Sequence, residues 1–551
     1  MIMNRFLSLF IVAFLCNVTA YSQFDLVKDF DGGTQNSFGA SENGILYSIG
    51  TKMLVQYDSF SVDGQLTSME SLTAVDAAGN SQRLASSTFN MVDQAPFSDF
   101  KTLPNGKVAF IVVESNTSFK ILITDGTAAG TTAAYSSTTA INGLELIDNG
   151  LYFTHEDNAG HALMKIELAT LAVSEIASFG TVHAISDITK ISATALIFLA
   201  TDARDDDILK LYVSDGTSAG TTALTVINDG DVTTEKALLT QVGNKVYFFS
   251  KLPDVACCSA LWVTDGTVSG TQKLKEFSVL SAEHLMNQEM IFGWNNAFYF
   301  AAAELGTTNT EPTLWVSDGT VAGTRLLMPP SAETIHPRRF TVFKNALYFI
   351  VASGINYNNE LYKTDGTVAG TVHIDLKYNS YYVGPYSMAA DEDYLYMAGG
   401  NPNSSFHSEL FRYDGIDTQC AMLEGEIGSI GGSQPNDLYI HGGELYFTAR
   451  LAATAQELYT TGGDFIQGVA TATRSAAAQN SVVYPNPAKD VVTVTSSEKI
   501  TSLRVINQVG AVVAETTEAT LDVSSYSAGI YYVEIFFPNN ESAYQKLVVN
   551  K

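Results

Sequence analysis

One seven-residue phrase recurs along the chain. Asp-Gly-Thr-x-x-Gly-Thr begins at Asp125, Asp215, Asp265, Asp318 and Asp365. Apart from one larger gap the copies stand about fifty residues apart, a period that belongs to propellers and solenoids. An aromatic-rich run precedes each copy, as in Val246-Tyr247-Phe248-Phe249, Phe298-Tyr299-Phe300-Ala301 and Leu347-Tyr348-Phe349-Ile350. Similar runs occur at Leu46-Tyr47, Val108-Ala109-Phe110, Leu151-Tyr152-Phe153, Leu196-Ile197-Phe198, Leu395-Tyr396 and Leu445-Tyr446-Phe447. Units whose Asp-Gly-Thr has diverged therefore remain visible, and the markers number nine.

One unit shows the internal plan. Residues 339–343 alternate in polarity, Lys344-Asn345 turns the chain, and 347–351 return as an apolar run. Residues 360–364 follow, then the Asp365 turn, then 371–376. Asn105-Gly106, Gly243-Asn244 and Gly442-Gly443 occupy the first turn in other units, where residues that tolerate positive φ make tight hairpins. Short β-branched and aromatic runs without a 3.6-residue period form four-stranded antiparallel units. The expected fold is all-β: a β-propeller of seven to nine such blades over residues 23–470. Residues 24–33 look like the strand that follows an Asp-Gly-Thr turn, yet none precedes them, and the last unit near Gly462 lacks a fourth strand. Leu26 to Phe30 are therefore expected to complete the last blade and close the ring.

Small residues at 471–481 form a linker, and 482–551 carry a compact alternating strand pattern expected to be an Ig-like β-sandwich. Residues 1–22 read as an export signal: Arg5, an apolar core from Phe6 to Cys16, and Ala20-Tyr21-Ser22 as the cleavage site. Leu15 stands where lipid attachment at Cys16 would want a small residue. No other run approaches the ~20 apolar residues of a membrane-spanning helix, so no transmembrane segment is expected. A formal net charge of −28 argues against nucleic acid, which demands clustered Lys and Arg. Cys257, Cys258 and Cys420 are too few for a disulfide framework, and the Cys257-Cys258 pair reads as two small loop residues.

The tail is similar to the type A sorting domain of the type IX secretion system. The resemblance rests on residues 484–490 (YPNPAKD), 505–513, 521–535 and 545–551, including Tyr484, Pro485, Asn486, Pro487, Asp490, Gly529, Tyr531 and Lys546. It implies a partner, the type IX secretion machinery, and a location, secreted or on the outer cell surface. The repeats resemble the ELWxxDGT family of secreted and surface proteins, through Leu361 to Thr367, Leu314 to Thr320 and Leu261 to Thr267. They depart at the leading glutamate, replaced by Lys210, Ala260 and Thr313.

No cofactor is expected. Calcium wants six to eight oxygens, and each Asp-Gly-Thr turn offers one carboxylate. An Asp that caps its own turn, with Gly supplying positive φ, accounts for the motif more simply. Residues 154–161 (THEDNAGH) and 201–207 (TDARDDD) gather polar groups without a metal-loop order, and no nucleophile elbow or phosphate loop is present. Strand order puts the hairpin turns and the Asp-Gly-Thr turns at one end of the blades. Longer, dissimilar loops lie at the other end, where recognition usually resides. His336, Tyr357, Tyr378, Tyr381, Tyr382, Tyr386 and His407 are the candidates there for ligand contact. The expected function is binding of an extracellular polysaccharide or protein. The alternative is a glycosidase-like hydrolase built on two converging carboxylates.

Overall fold

The computed structural model describes residues 24–28, 44, 46–60, 68–88, 96–157, 160–179, 185, 188–202, 205–229, 238–252, 255–278, 288–306, 311–328, 334–353, 358–378, 381–400, 408–416, 420–423, 434–450, 456–461, 465–467, 482–496, 499–507, 512–537 and 542–550. The export signal, the linker, Tyr357 and His407 lie outside these residues, whereas Cys257 and Cys258, read as loop residues, lie on the strand Val255–Thr264. Among the described residues no helix is long and apolar enough to cross a membrane.

Nine four-stranded antiparallel units are seen among the described residues. Blades 1 to 8 span 46–87, 97–137, 141–178, 189–229, 240–278, 291–326, 334–374 and 384–423, each with its strands paired in chain order. Blade 9 combines Asn436–His441, Glu444–Arg450 and Gln456–Thr461 with Phe24–Lys28. The N-terminal strand pairs Leu26 with Tyr459 and Phe24 with Thr461, so closure occurs as expected, with a strand that starts two residues earlier. One aromatic marker is seated differently from expectation. In blades 2 to 9 the marker lies on the second strand, but Leu46-Tyr47 lies on the first strand of blade 1, whose second strand is Lys52–Phe60. The unit count survives because Met53-Leu54-Val55 takes the marker's structural place.

The second strand is an unbroken apolar run because both of its faces are covered. Leu347, Phe349 and Val351 share a core with Tyr299, Leu314 and Val316 of blade 6, while Tyr348 packs with Leu395 and Met397 of blade 8. The period of two thus sends alternate side chains to opposite neighbours. Leu151 and Phe153 likewise face blade 2, and Tyr152 faces blade 4. Each such ring, fully buried, is worth roughly 1.5–3 kcal/mol of transfer free energy. The same construction joins every successive pair of blades and closes between Met53, Val55 and Val75 of blade 1 and Tyr446 and Leu458 of blade 9. A closed ring leaves no blade with an uncovered apolar face.

The first strands add polar latches. Lys101 Nζ of blade 2 lies 2.6 Å from the carboxylate of Glu145 in blade 3, a side chain only 6% exposed. Gln241 Nε2 donates to the Ile191 carbonyl (3.2 Å), and Arg339 Nε to Glu289 (3.0 Å). At the seam, Ser48 Oγ of blade 1 sits 2.9 Å from both Tyr439 Oη and His441 Nδ1 of blade 9. Several first strands are bulged near the same place. Asp99, Gly143, Arg339 and Asp437 have φ of 55°, 57°, 54° and 51°, and the ladder register shifts beside each. A bulge sharpens local twist, and here it recurs where the inner strands of neighbouring blades converge.

The tail has two sheets, one of three strands (Val482–Tyr484, Val491–Thr495, Thr520–Asp522) and one of four (Val512–Thr516, Ser502–Asn507, Gly529–Phe536, Ser542–Val549). They enclose Val492, Val494, Leu503, Val505, Leu521, Val533, Ile535 and Leu547, which makes the tail the expected β-sandwich. Asn486 Oδ1 accepts from the Val548 amide (2.8 Å), and the Ala488 amide donates to the Val548 carbonyl (2.8 Å). The Tyr-Pro-Asn-Pro segment is thereby tied to the last strand. Gly529 opens its strand, Tyr531 Oη donates to the Ser527 carbonyl (3.1 Å), Lys546 pairs in register with Tyr532, and the Asp490 carbonyl accepts from the Val523 amide (2.8 Å).

Candidate binding face

The two ends of the blades are built by different chemistry. At one end each Asp-Gly-Thr-x-x-Gly-Thr turn is a closed set of hydrogen bonds. Asp365 Oδ1 accepts from the amide (2.8 Å) and hydroxyl (2.7 Å) of Thr367. Thr367 Oγ1 accepts from the Gly370 amide (2.9 Å), and Thr371 Oγ1 donates to the Thr367 carbonyl (2.6 Å). Thr364 Oγ1 accepts from the Gly366 amide (3.0 Å) and touches Thr371 Oγ1 (2.8 Å). The turns at Asp125, Asp215, Asp265 and Asp318 repeat the pattern. Hydrogen bonds from the following threonine hold the carboxyls of Asp125, Asp215, Asp318 and Asp365 below the usual carboxylate range.

Both glycines are required. Gly366 has φ of 90°, and a Cβ on Gly370 would stand 2.0 Å from Asp365 Oδ1. Three of these turns, and the diverged turn at Asp414, are also gripped by the preceding blade. Lys52 donates to the Gly126 carbonyl (2.9 Å), Lys245 to Asp318 (2.8 Å), Arg325 to Gly366 (2.7 Å) and Lys344 to Asp414 (2.8 Å). A Cβ on Gly216 or Gly366 would run into the hydroxyl of Tyr152 or Tyr299 from the preceding blade. The aromatic marker and the Asp-Gly-Thr turn are thus two halves of one inter-blade joint. Burial raises Tyr247 and Tyr348, which occupy the same marker position, to about 12.

The other end carries the dissimilar loops, and three of the nominated residues are engaged in structure there. His336, with φ of 56° and a side chain 12% exposed, places Nε2 3.1 Å from Glu311 and donates its amide to the Pro312 carbonyl (3.1 Å). Tyr386 donates its hydroxyl to the Pro435 carbonyl of blade 9 (2.7 Å). Tyr378 packs against Phe411 with ring centroids 6.0 Å apart. Tyr378 and Tyr381 pair in a short hairpin, Lys377–Tyr378 with Tyr381–Tyr382, between blades 7 and 8. Tyr382 is half exposed, with the Lys377 ammonium 4.7 Å from its ring centroid and that lysine held by Asp375 at 2.7 Å.

A cleft that the candidate list omits opens at the same end between blades 2 and 3. It is a shallow hollow, open to solvent, of about 640 Å³, lined by Thr117, Ser118, Tyr135, Ser136, Ser137, Thr138, Thr139 and His155. His155 Nε2 lies 3.0 Å from both Ser137 Oγ and Thr139 Oγ1. Tyr135 sits on Phe153, centroids 4.7 Å apart, and meets His155 edge-on at 5.8 Å. The flagged His155 loop was a partial signal for it. Tyr135 and Ser137 carried none, because only the pairing of the blades brings them to that histidine. Elsewhere, among the described residues no three His, Cys, Asp or Glu side chains gather as a metal-holding group, and Cys258 and Cys420 are buried thiols.

Residues 482–550 match the family described as the secretion system C-terminal sorting domain. That match implies export through the type IX secretion system. No curated protein matches the chain. Among solved structures it is similar to an uncharacterized protein from Listeria monocytogenes at 10% identity, covering 62% of this chain and 97% of that one, with a TM-score of 0.34. The β-propeller domain of the Trilobed protease from Pyrococcus furiosus shares 12% identity over 60% of this chain and 97% of that one, TM-score 0.31. An acylaminoacyl peptidase from Pyrococcus horikoshii shares 13% identity over 65% of this chain and 58% of that one, TM-score 0.32.

Proposed function

We propose that this is a secreted or cell-surface binding module, a propeller delivered by its sorting tail and presenting its loop-rich end to an extracellular polysaccharide or protein. The observation that carries this reading is the open cleft at the loop-rich end, against the self-capped turns at the other. Every Asp-Gly-Thr turn spends its carboxylate and hydroxyls on its own cap, as in Asp365, Thr367 and Thr371. The loop-rich end lines an open cleft between blades 2 and 3 with hydroxyls, a phenol and an imidazole, and carries the half-exposed Tyr382 separately, between blades 7 and 8. Rigid blades with variable loops suit recognition. A hydrolase reading needs a pair of carboxylates facing one pocket, and the lining of this cleft has no carboxylate.

The test uses the secreted full-length protein on immobilised polysaccharides and on extracellular protein extracts, scoring retention and soluble product together. Retention without product is the expected result. Release of oligosaccharides or peptides would replace the binding reading with the hydrolase. Deleting residues 482–551 is expected to hold the protein in the periplasm, and undiminished secretion would remove the tail's role.

A further inference from the structure

We infer that the cleft between blades 2 and 3 is a binding site for a neutral saccharide, an inference that rests on the binding-module reading and gives it a place and a ligand class. Its open hollow of about 640 Å³ has room for a short oligosaccharide segment lying along the surface. The chemistry of the wall narrows the ligand. Seven of its eight lining side chains carry a hydroxyl, the eighth is His155, and none bears a fixed charge. A phosphate or carboxylate ligand would want Lys or Arg in the wall. A metal would want several ligating side chains where this cleft has a single imidazole. An apolar ligand would take the exposed hydroxyls of Thr117, Ser136 and Thr138 out of water without replacing their hydrogen bonds.

Hydroxyl groups both donate and accept, so a serine- and threonine-lined wall can answer the mixed donors and acceptors around a sugar ring. A sugar also has C–H faces that rest on aromatic rings, and Tyr135 supplies one. That ring is propped by Phe153 at 4.7 Å and by His155 at 5.8 Å, which limits the freedom it would lose on binding. His155 is set in turn by Ser137 and Thr139 at 3.0 Å each, one at the end of blade 2 and one in the connection to blade 3. The site is therefore a product of the joint between the two blades. Its outer rim is Thr117, Ser136 and Thr138, all exposed, so bulk can be added there without disturbing the core.

The experiment compares full-length protein with Ser136→Arg, Thr138→Arg and Tyr135→Ala against a panel of neutral gluco-, manno- and xylo-oligosaccharides, with acidic oligosaccharides as controls. Wild type is expected to bind a neutral member. Each arginine variant is expected to melt with wild type and to lose at least tenfold in affinity, and Tyr135→Ala should lose at least as much. Neutral-sugar binding that survives all three substitutions would place the site elsewhere and overturn the inference while sparing the binding module. Retention of a protein ligand with no sugar bound would overturn the ligand class alone. Preference for acidic oligosaccharides would also overturn it. Absence of any ligand would count against both readings.

Discussion

The two ends of the propeller share one scaffold and obey opposite rules. At the turn end, five copies of Asp-Gly-Thr-x-x-Gly-Thr make the same capping bonds at nearly the same distances, and three of them accept a hydrogen bond from a Lys or Arg of the preceding blade. At the loop-rich end, blades 2 and 3 make a hydroxyl-lined cleft, while blades 7 and 8 make a tyrosine hairpin. Repetition marks a structural task shared by five of the blades, a turn that caps itself. Divergence marks the other end, where contacts such as Tyr386 to Pro435 differ from joint to joint. A motif repeated five times is therefore a poor place to seek an active site in this fold.

Substitutions at the two ends should separate accordingly. The largest effect is expected from deleting residues 24–28, which strips the outer strand from blade 9 and bares the edge of Gln456–Thr461. The loss should be on the order of 3–5 kcal/mol, from ~1 kcal/mol per ladder hydrogen bond. Denaturant unfolding should show it, and unchanged stability would mean the ring does not depend on this seam.

Next comes Gly319→Val, which places a β-branched side chain at φ of 87° and drives its Cβ to 2.4 Å from Lys245 Nζ. A cost of about 2–3 kcal/mol is expected from backbone strain. The exposed Thr138→Val at the other end should stay within about 0.5 kcal/mol. Equal costs at the two positions would erase the contrast.

A smaller effect tests the carboxylate cap. Thr367→Val removes the hydroxyl that donates to Asp365 and accepts from Gly370, at an expected ~1 kcal/mol near neutral pH. The Asp365 carboxyl is lowered in the folded protein, so its contribution is full above the ordinary value of 3.8 and is lost as pH falls through the depressed folded value. Thr367→Val should therefore flatten the acid limb of the stability curve as well as lower its plateau. A parallel shift with an unchanged acid limb would show that Asp365 is not the titrating cap.

The smallest signal is alkaline. Tyr247 and Tyr348 are raised to about 12, so the stability they contribute is full below 10 and declines as pH rises toward 12. Ultraviolet titration should show these buried phenols ionising near pH 12, above the ordinary tyrosine value of 10. Early ionisation of both would contradict their burial against the next blade.

Much of the architecture was legible because it repeats. The period, the four-strand plan, the orphan strand after Gln23 and the two ends all followed from spacing and turn residues, and a nine-blade ring lies within the expected seven to nine. What escaped is what long-range packing decides. Leu46-Tyr47 has the marker's composition yet sits on a first strand, since composition alone does not distinguish the first hairpin arm from the second. The latches Lys101–Glu145 and Ser48–His441 join residues 44 and 393 positions apart, and nothing local announces them. Tyr386 was nominated as an aromatic on a loop face, whereas its hydroxyl is used to hold blade 9. Tyr135 drew no notice because its meaning depends on His155 from the next blade.

The division of labour is tested most directly by measuring ligand affinity and thermal midpoint together for two full-length variants, Thr367→Val and Thr138→Arg. The first should lose stability and keep its ligand, and the second should keep its stability and lose its ligand by at least tenfold. The reverse assignment, with binding lost at the Asp365 turn and retained at Thr138, would contradict the account.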